Sequence, residues 1–108
     1  MATQESDHLC PIEKTIQTIG GKWTFLILRC MFEGESRFNQ LQRSLDGISP
    51  HTLSLRLREL EQAGIITRHV FPEIPLHVEY DLTEKGEDLR PIFDAMRIWG
   101  NKWEIMKN

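Results

Sequence analysis

Residues 37–64 read RFNQLQRSLDGISPHTLSLRLRELEQAG, and this stretch decides the fold. It divides into two short helices joined by a tight turn. The first is expected from Asn39 to Leu45, with Asn39 as N-cap and Gln42 three residues later, a capping-box spacing. Asp46-Gly47 ends it, because glycine takes a positive φ at little steric cost. Ser49 caps the second helix and Pro50 takes its first position, where a missing N–H is no loss. Gly64 closes it. Two helices around a glycine-containing turn make a helix-turn-helix, here over about residues 39–63. In the second helix, Leu53, Leu57 and Leu60 share one face at i, i+4, i+7 and point to a core. The opposite face carries His51, Leu55, Arg58 and Gln62, with Ser54 beside them. Thr52 and Arg56 flank the apolar stripe. Leu55 is unusual on a solvent face, and a thymine methyl in a major groove would give it an apolar partner.

Upstream, Cys10-Pro11 begins an amphipathic helix whose Ile12, Ile16 and Ile19 recur on one side. Residues 1–9 read as a flexible arm. Gly20-Gly21 ends the first helix. Lys22 to Phe32 is apolar nearly all round, which predicts a helix buried on several sides, the pillar of the core. Gly34 stops it, and Ser36-Arg37-Phe38 is short and extended, able to add a small strand to a sheet.

Downstream, Ile65–Phe71 and Leu76–Leu82 are rich in β-branched and aromatic residues and predict two strands around Pro72-Glu73-Ile74-Pro75. A hairpin over residues 65–82, directly after the second motif helix, is a wing. A register in which partner numbers total about 147 sets Arg68 opposite Glu79. Thr83 caps a last helix over residues 84–107, bent or loosened early by Pro91. Its stripe of Leu89, Ile92, Phe93, Met96, Trp99, Trp103 and Met106, widened by Ile98 and Ile105, is too large for a core the pillar already fills. Left bare it would be a large sticky patch. A homodimer built by the first and last helices accounts for it, with Ile12, Ile16, Ile92, Phe93, Met96, Trp99 and Trp103 at the interface.

The chain of 108 residues suits one domain, here residues 10–108, and its 40% hydrophobic and 27% charged content is ordinary for a soluble globular protein. No apolar run approaches the roughly 20 residues of a bilayer span, and the polar start lacks a signal-peptide core, so a cytoplasmic location without membrane contact is expected. Net charge is −3, against indiscriminate polyanion binding. Between Arg37 and Arg58, however, four arginines oppose Asp46 alone, a local +3 that leaves −6 on the rest. One basic patch on an acidic chain suits a local contact with double-stranded DNA.

The fold class expected is therefore mainly α with a small antiparallel β-hairpin: a winged helix-turn-helix with N- and C-terminal dimerisation helices. Further residues sharpen this. Cys10-Pro11, Gly21-Lys22-Trp23, Arg37-Phe38 with Leu41, Gly47-Ile48-Ser49, Leu57-Arg58-Glu59-Leu60-Glu61, Gly64-Ile65-Ile66, Arg68, Val78-Glu79-Tyr80, Leu82-Thr83, Gly86 and Trp99 follow in this order. The set resembles the HxlR-type bacterial transcriptional regulators, relatives of the MarR group, over residues 10 to about 103. The resemblance implies a homodimeric DNA-binding regulator. It places the second motif helix in the major groove and the wing in the adjacent minor groove, and in some members it implies oxidant or electrophile sensing through a cysteine at the position of Cys10. The chain departs from the family at the wing, where Leu76 and His77 stand in place of a proline and a lysine.

On this basis Ser49, Pro50, His51, Thr52, Ser54, Leu55 and Arg58 face or border the groove. Arg37, Arg43 and Arg56 are expected as phosphate clamps or structural ion-pair partners, and His77 as a phosphate hydrogen-bond donor. Cys10 precedes a helix N-terminus, whose dipole favours the reactive thiolate. Cys30 lies on the apolar pillar and reads as a core residue. No cofactor is expected. Three other classes have less support in the residues. Four histidines and two cysteines, with His69 and His77 close across the wing, would serve a metal- or small-ligand-responsive regulator, but no metal-binding spacing appears. An enzyme lacks any phosphate loop, nucleophile elbow or metal-protease motif. A winged helix that binds only protein would carry a less uniformly polar outer face.

Overall fold

The computed structural model describes residues 9–104; the expected arm, and Ile105 and Met106 of the last stripe, lie outside the described residues. Cys10 caps the first helix. Its sulfur accepts from the Glu13 amide at 3.4 Å while the Glu13 carboxylate accepts from the Cys10 amide at 3.0 Å, a reciprocal cap for α1, Pro11–Ile19. The pillar α2 follows over Lys22–Phe32, with Ile27, Leu28 and Cys30 fully buried.

The helix-turn-helix is α3, Phe38–Ser44, and α4, Pro50–Gln62. Its first helix starts earlier than expected. Arg37 is the N-cap residue, and Gln40, not Gln42, reaches back, its Oε1 accepting from the Arg37 amide at 3.0 Å and the Ser36 amide at 3.1 Å. Asn39 is thus inside the helix. Gln42 is used elsewhere, its amide nitrogen donating to the Ile48 carbonyl at 2.6 Å across the turn. Gly47 at φ +89° turns the chain between the helices. Ser49 caps α4 as expected, accepting from the Thr52 amide at 3.1 Å. Leu53, Leu57 and Leu60 are buried in one core with Leu41, Ile65, Ile66 and the pillar.

The wing is a two-stranded antiparallel sheet, β1 Ile66–Phe71 and β2 His77–Leu82. Ile66 faces Leu82, Arg68 faces Tyr80 and His69 faces Glu79, so the expected Arg68–Glu79 pairing is off by one residue. Parity explains the correction. Opposed residues share a face of the sheet. The core-facing positions Ile66, Tyr80 and Leu82 are all even, so the register total must be even. The extended stretch before α3 does join the sheet, as a single bridge of Arg37 to Glu79, with the Tyr80 amide donating to the Ser36 carbonyl at 2.7 Å.

The single last helix is broken. Thr83 caps only a short α5, Glu84–Glu87, and α6 begins afresh over Arg90–Trp99 before a π turn at Gly100–Glu104. Pro91 has no N–H for the Glu87 carbonyl, and its ring would strike that carbonyl in a continuous helix. At the second position of a new helix it costs nothing. Arg90 ties α6 back to the pillar, donating to the Phe32 carbonyl at 3.3 Å with its guanidinium 4.7 Å from the Phe32 ring centroid. Phe93 is half-buried between Phe25 and Phe32, at ring-centroid distances of 5.6 and 5.1 Å. It packs on its own protomer's pillar while keeping part of its surface exposed beside Ile92.

Candidate nucleic-acid interface

Two kinds of surface stand bare. The first is the outer face of α4. Burying Leu53, Leu57 and Leu60 turns His51, Ser54 and Arg58 outward, all exposed, with Leu55 partly so. Pro50 is exposed at the helix start, and Thr52 is half-buried, its hydroxyl accepting from Ser49 Oγ at 2.9 Å. The first turn of α4 is therefore rigid where a recognition helix usually touches bases. The arginines separate by partner. Arg56 holds Glu59 at 2.6 Å and Arg37 holds Glu79 at 3.3 Å. Arg43 and Arg58 are exposed and have no acidic partner among the described residues. Arg37, Arg43 and His77, far apart in sequence, line one cleft of about 630 Å³ between α3 and the wing tip, with Leu76 on its rim.

His77 has a different setting from that expected. Its ring stacks on Phe71 at 4.6 Å, and its two nitrogens lie 3.3 Å from Glu73 and 3.3 Å from Glu79. Both nitrogens thus face carboxylates, not an open phosphate position. His69 lies 3.3 Å from Asp81 on the neighbouring strand. Both wing histidines take carboxylate neighbours, and among the described residues no three histidine, cysteine, aspartate or glutamate side chains gather as a metal-ligand set. The residue that sequence reasoning missed is Arg68. The assumed register had neutralised it against Glu79; the true one leaves it exposed opposite Tyr80, with no acidic partner among the described residues. The parity of the apolar positions was the signal that would have found it.

The second bare surface is apolar. Ile12 on α1 is 71% exposed, Trp99 on α6 58% and Trp103 56%, and Ile16, Ile92, Met96 and Ile98 are exposed with them. The two cysteines differ as expected. Cys10 is exposed at the start of α1 and Cys30 is buried, both as free thiols. Burial pushes the Cys30 thiol up from its ordinary value, partly offset by Arg29, whose Nη2 lies 3.6 Å from the sulfur. Beside Cys10, the amide and sulfur hydrogen-bond partners of Glu13 hold its carboxyl below the usual range.

A pillar, a helix-turn-helix, a two-stranded wing and flanking helices match a known family pattern, the HxlR-like helix-turn-helix, over residues 18–108. The chain belongs to that family. A helix-turn-helix transcriptional regulator of Synechocystis is 46% identical over 99 residues, 92% of this chain and 73% of the relative. The transcriptional regulator YodB of Bacillus subtilis is 38% identical over 96 residues, 88% of this chain and 86% of its own. Among solved structures, the redox regulator HypR in its reduced form superposes with a TM-score of 0.82 at 40% identity, covering 92% of this chain and all of that one. This HxlR-type chain is thus a winged helix-turn-helix transcriptional regulator, the class its residues resembled. No helix among its described residues is long and apolar enough to cross a membrane.

Proposed function

We propose that this regulator binds a pseudo-palindromic DNA operator as a homodimer and responds to an oxidant or electrophile through Cys10. The observation that carries the DNA reading is the bare outer face of α4, polar and cationic on a helix whose other face is wholly buried. In this reading Ser49, Pro50, His51, Thr52, Ser54 and Leu55 meet base edges or the groove wall, and Arg58 reaches a phosphate or a guanine edge. Arg37, Arg43, Arg56 and Arg68 meet or frame phosphates. His77 serves the wing chiefly as an internal partner of Glu73 and Glu79. Ile12, Ile16, Ile92, Met96, Trp99 and Trp103 cover their counterparts on a second copy. Two-fold pairing sets the recognition helices for half-sites about 34–36 Å apart or a multiple of it.

Cys10 supports the sensing reading by position. Its sulfur is both solvent-exposed and the cap of α1, the helix that carries Ile12 and Ile16. Addition of the thiolate to an electrophilic alkene forms an S–C bond, and the thiol's proton ends on the neighbouring carbon. The cap is thereby altered at the foot of the dimer surface. The redox regulator HypR, structurally similar over nearly the whole chain, adds to this reading. Fluorescence anisotropy with the DNA upstream of the protein's own gene tests it. Arg58→Ala with His51→Ala is expected to abolish sequence-specific binding, and treatment with an electrophile is expected to change wild-type affinity but not that of Cys10→Ser. Specific binding that survives the double substitution with an unchanged salt dependence refutes the assignment.

A further inference from the structure

A second cleft, of about 590 Å³, lies on the flank of α4 that carries Arg56, about 200° round the helix from Arg58. Its walls include Thr18 at the end of α1, Lys22 and Thr24 at the start of α2, and Arg56 and Glu59 on α4. Gly21 precedes α2 at φ +102° and offers no side chain to cap it. The first backbone bond of the helix runs from the Phe25 amide to the Gly21 carbonyl, so the amides of Lys22, Trp23 and Thr24 find no backbone acceptor among the described residues. These are the unpaired donors at the positive end of a helix dipole.

A second observation points the same way independently. Thr24 is only 7% exposed, the one buried polar side chain of the described core, and it lines this cleft. Thr15 and Thr18 each donate to the carbonyl four residues earlier, at 2.9 Å. The Thr24 hydroxyl has no hydrogen-bond partner among the described residues, and since the sealed, unpartnered side-chain atom among them is Glu35 Oε1, the threonine oxygen is open at the cleft. The ionisable groups lining the cleft are Lys22, Arg56 and Glu59, a net positive set. Arg56 engages Glu59 through Nη1, leaving its other N–H groups available. Lys22 Nζ stands over the Trp23 ring at 4.8 Å.

We propose that this cleft binds a small molecule through an oxyanion group, a carboxylate or a phosphate. The free amides of α2 and the Thr24 hydroxyl donate to it, and Lys22 and Arg56 neutralise it. The volume is that of a small-ligand site. Because the cleft joins the end of α1 to α4, occupancy fixes the angle between the helix bearing Ile12 and Ile16 and the helix bearing His51 and Arg58. That consequence rests on the DNA-binding reading; the site itself does not.

The same chemistry is offered by a free ligand and by a phosphate of the DNA backbone. Amide-detected NMR of the full chain, titrated with inorganic phosphate and separately with benzoate, tests the site without DNA. The expected result is saturable shifts at the amides of residues 21–24 with at least one probe. Thr24→Val and Arg56→Gln are each expected to weaken that binding about tenfold. Arg56 lies at the surface, so its substitution keeps the test decisive if the buried threonine proves necessary for folding. Operator DNA added to the loaded protein separates the sources. Displacement of the probe assigns the site to a backbone phosphate, and simultaneous binding assigns it to a free oxyanion ligand; both outcomes uphold the site. Shifts that do not saturate with either probe, or that persist unchanged in Arg56→Gln, overturn it. Loss of DNA binding by itself would refute only the operator reading.

Discussion

Replacing Arg68 by Gln isolates the contribution of the wing to DNA binding. The helix-turn-helix and wing carry three arginines per protomer that are exposed and without an acidic partner among the described residues, Arg43, Arg58 and Arg68. A dimer presents each twice, six free cations in all. Each phosphate neutralised contributes about −0.9 to the slope of log K against log salt, so the wild-type slope should be about −5. Arg68→Gln removes two of the six contacts and should flatten the slope by about 2. The change should appear on operator and non-operator DNA alike, because phosphate contacts carry no sequence information. Arg97→Gln is the control, since Arg97 pairs with Asp94 at 2.6 Å on α6 and should leave the slope unaltered. Anisotropy titrations between about 50 and 200 mM salt resolve these differences. An unchanged slope in Arg68→Gln, or a wild-type slope shallower than about −3, would refute the wing assignment and the corrected register's role in it.

Thr83→Val should destabilise the fold by about 1–2 kcal/mol in urea unfolding, because the hydroxyl accepts from the Gly86 amide at 3.1 Å and donates to the Ile65 carbonyl at 3.0 Å. Trp99→Glu should convert the dimer to monomer in analytical ultracentrifugation at concentrations where the wild type is paired, since Trp99 is 58% exposed and covering that share of a tryptophan's surface is worth roughly 2–4 kcal/mol; a dimer that persists places the interface elsewhere. Native thiol labelling should modify Cys10 fast and Cys30 only on unfolding, because one is exposed and the other buried. Burial raises the Cys30 thiol above its unfolded value, so its contribution to stability is whole below about pH 8.5 and is lost as pH climbs through the folded value. Unfolding curves of wild type and Cys30→Ala should therefore differ in slope only on the alkaline side.

Local rules made the centre of this chain legible. Ser49-Pro50, the leucine period of α4 and the glycine at 47 each follow from one or two neighbouring residues, and all stand as expected. The misses required information from across the fold. Asn39 and Gln42 offered a sound capping box, but Arg37 was already held in a bridge to Glu79, which moved the helix start back and gave the cap to Gln40. The wing register turned on which positions meet the core, and that is a tertiary choice. His77 reads as a phosphate contact from sequence, and only the folded hairpin brings Glu73 and Glu79 to its two nitrogens. The Thr24 cleft had no signal in sequence, since a threonine in an apolar helix is ordinary until its hydroxyl is found without a partner.

The break at Pro91 has a consequence for how the two bare surfaces relate. A continuous helix from Thr83 would have carried the apolar stripe as an extension of the wing, so that wing motion and dimer geometry moved together. With the helix divided, α5 is fastened to the end of α4 and the start of β1, where Thr83 meets Ile65 and Lys85 donates to the Ala63 carbonyl at 2.7 Å. The longer α6 is fastened instead to the pillar, through Arg90 on the Phe32 carbonyl and Phe93 between two phenylalanines. The proposed dimer surface therefore takes its orientation from α2. The same pillar begins beside α1 at Gly21 and packs on α4, so it touches every element that sets the spacing of two recognition helices. A chemical event at Cys10 or in the cleft at Thr24 acts at that junction, whereas one on the wing tip would have to pass through the core to reach it.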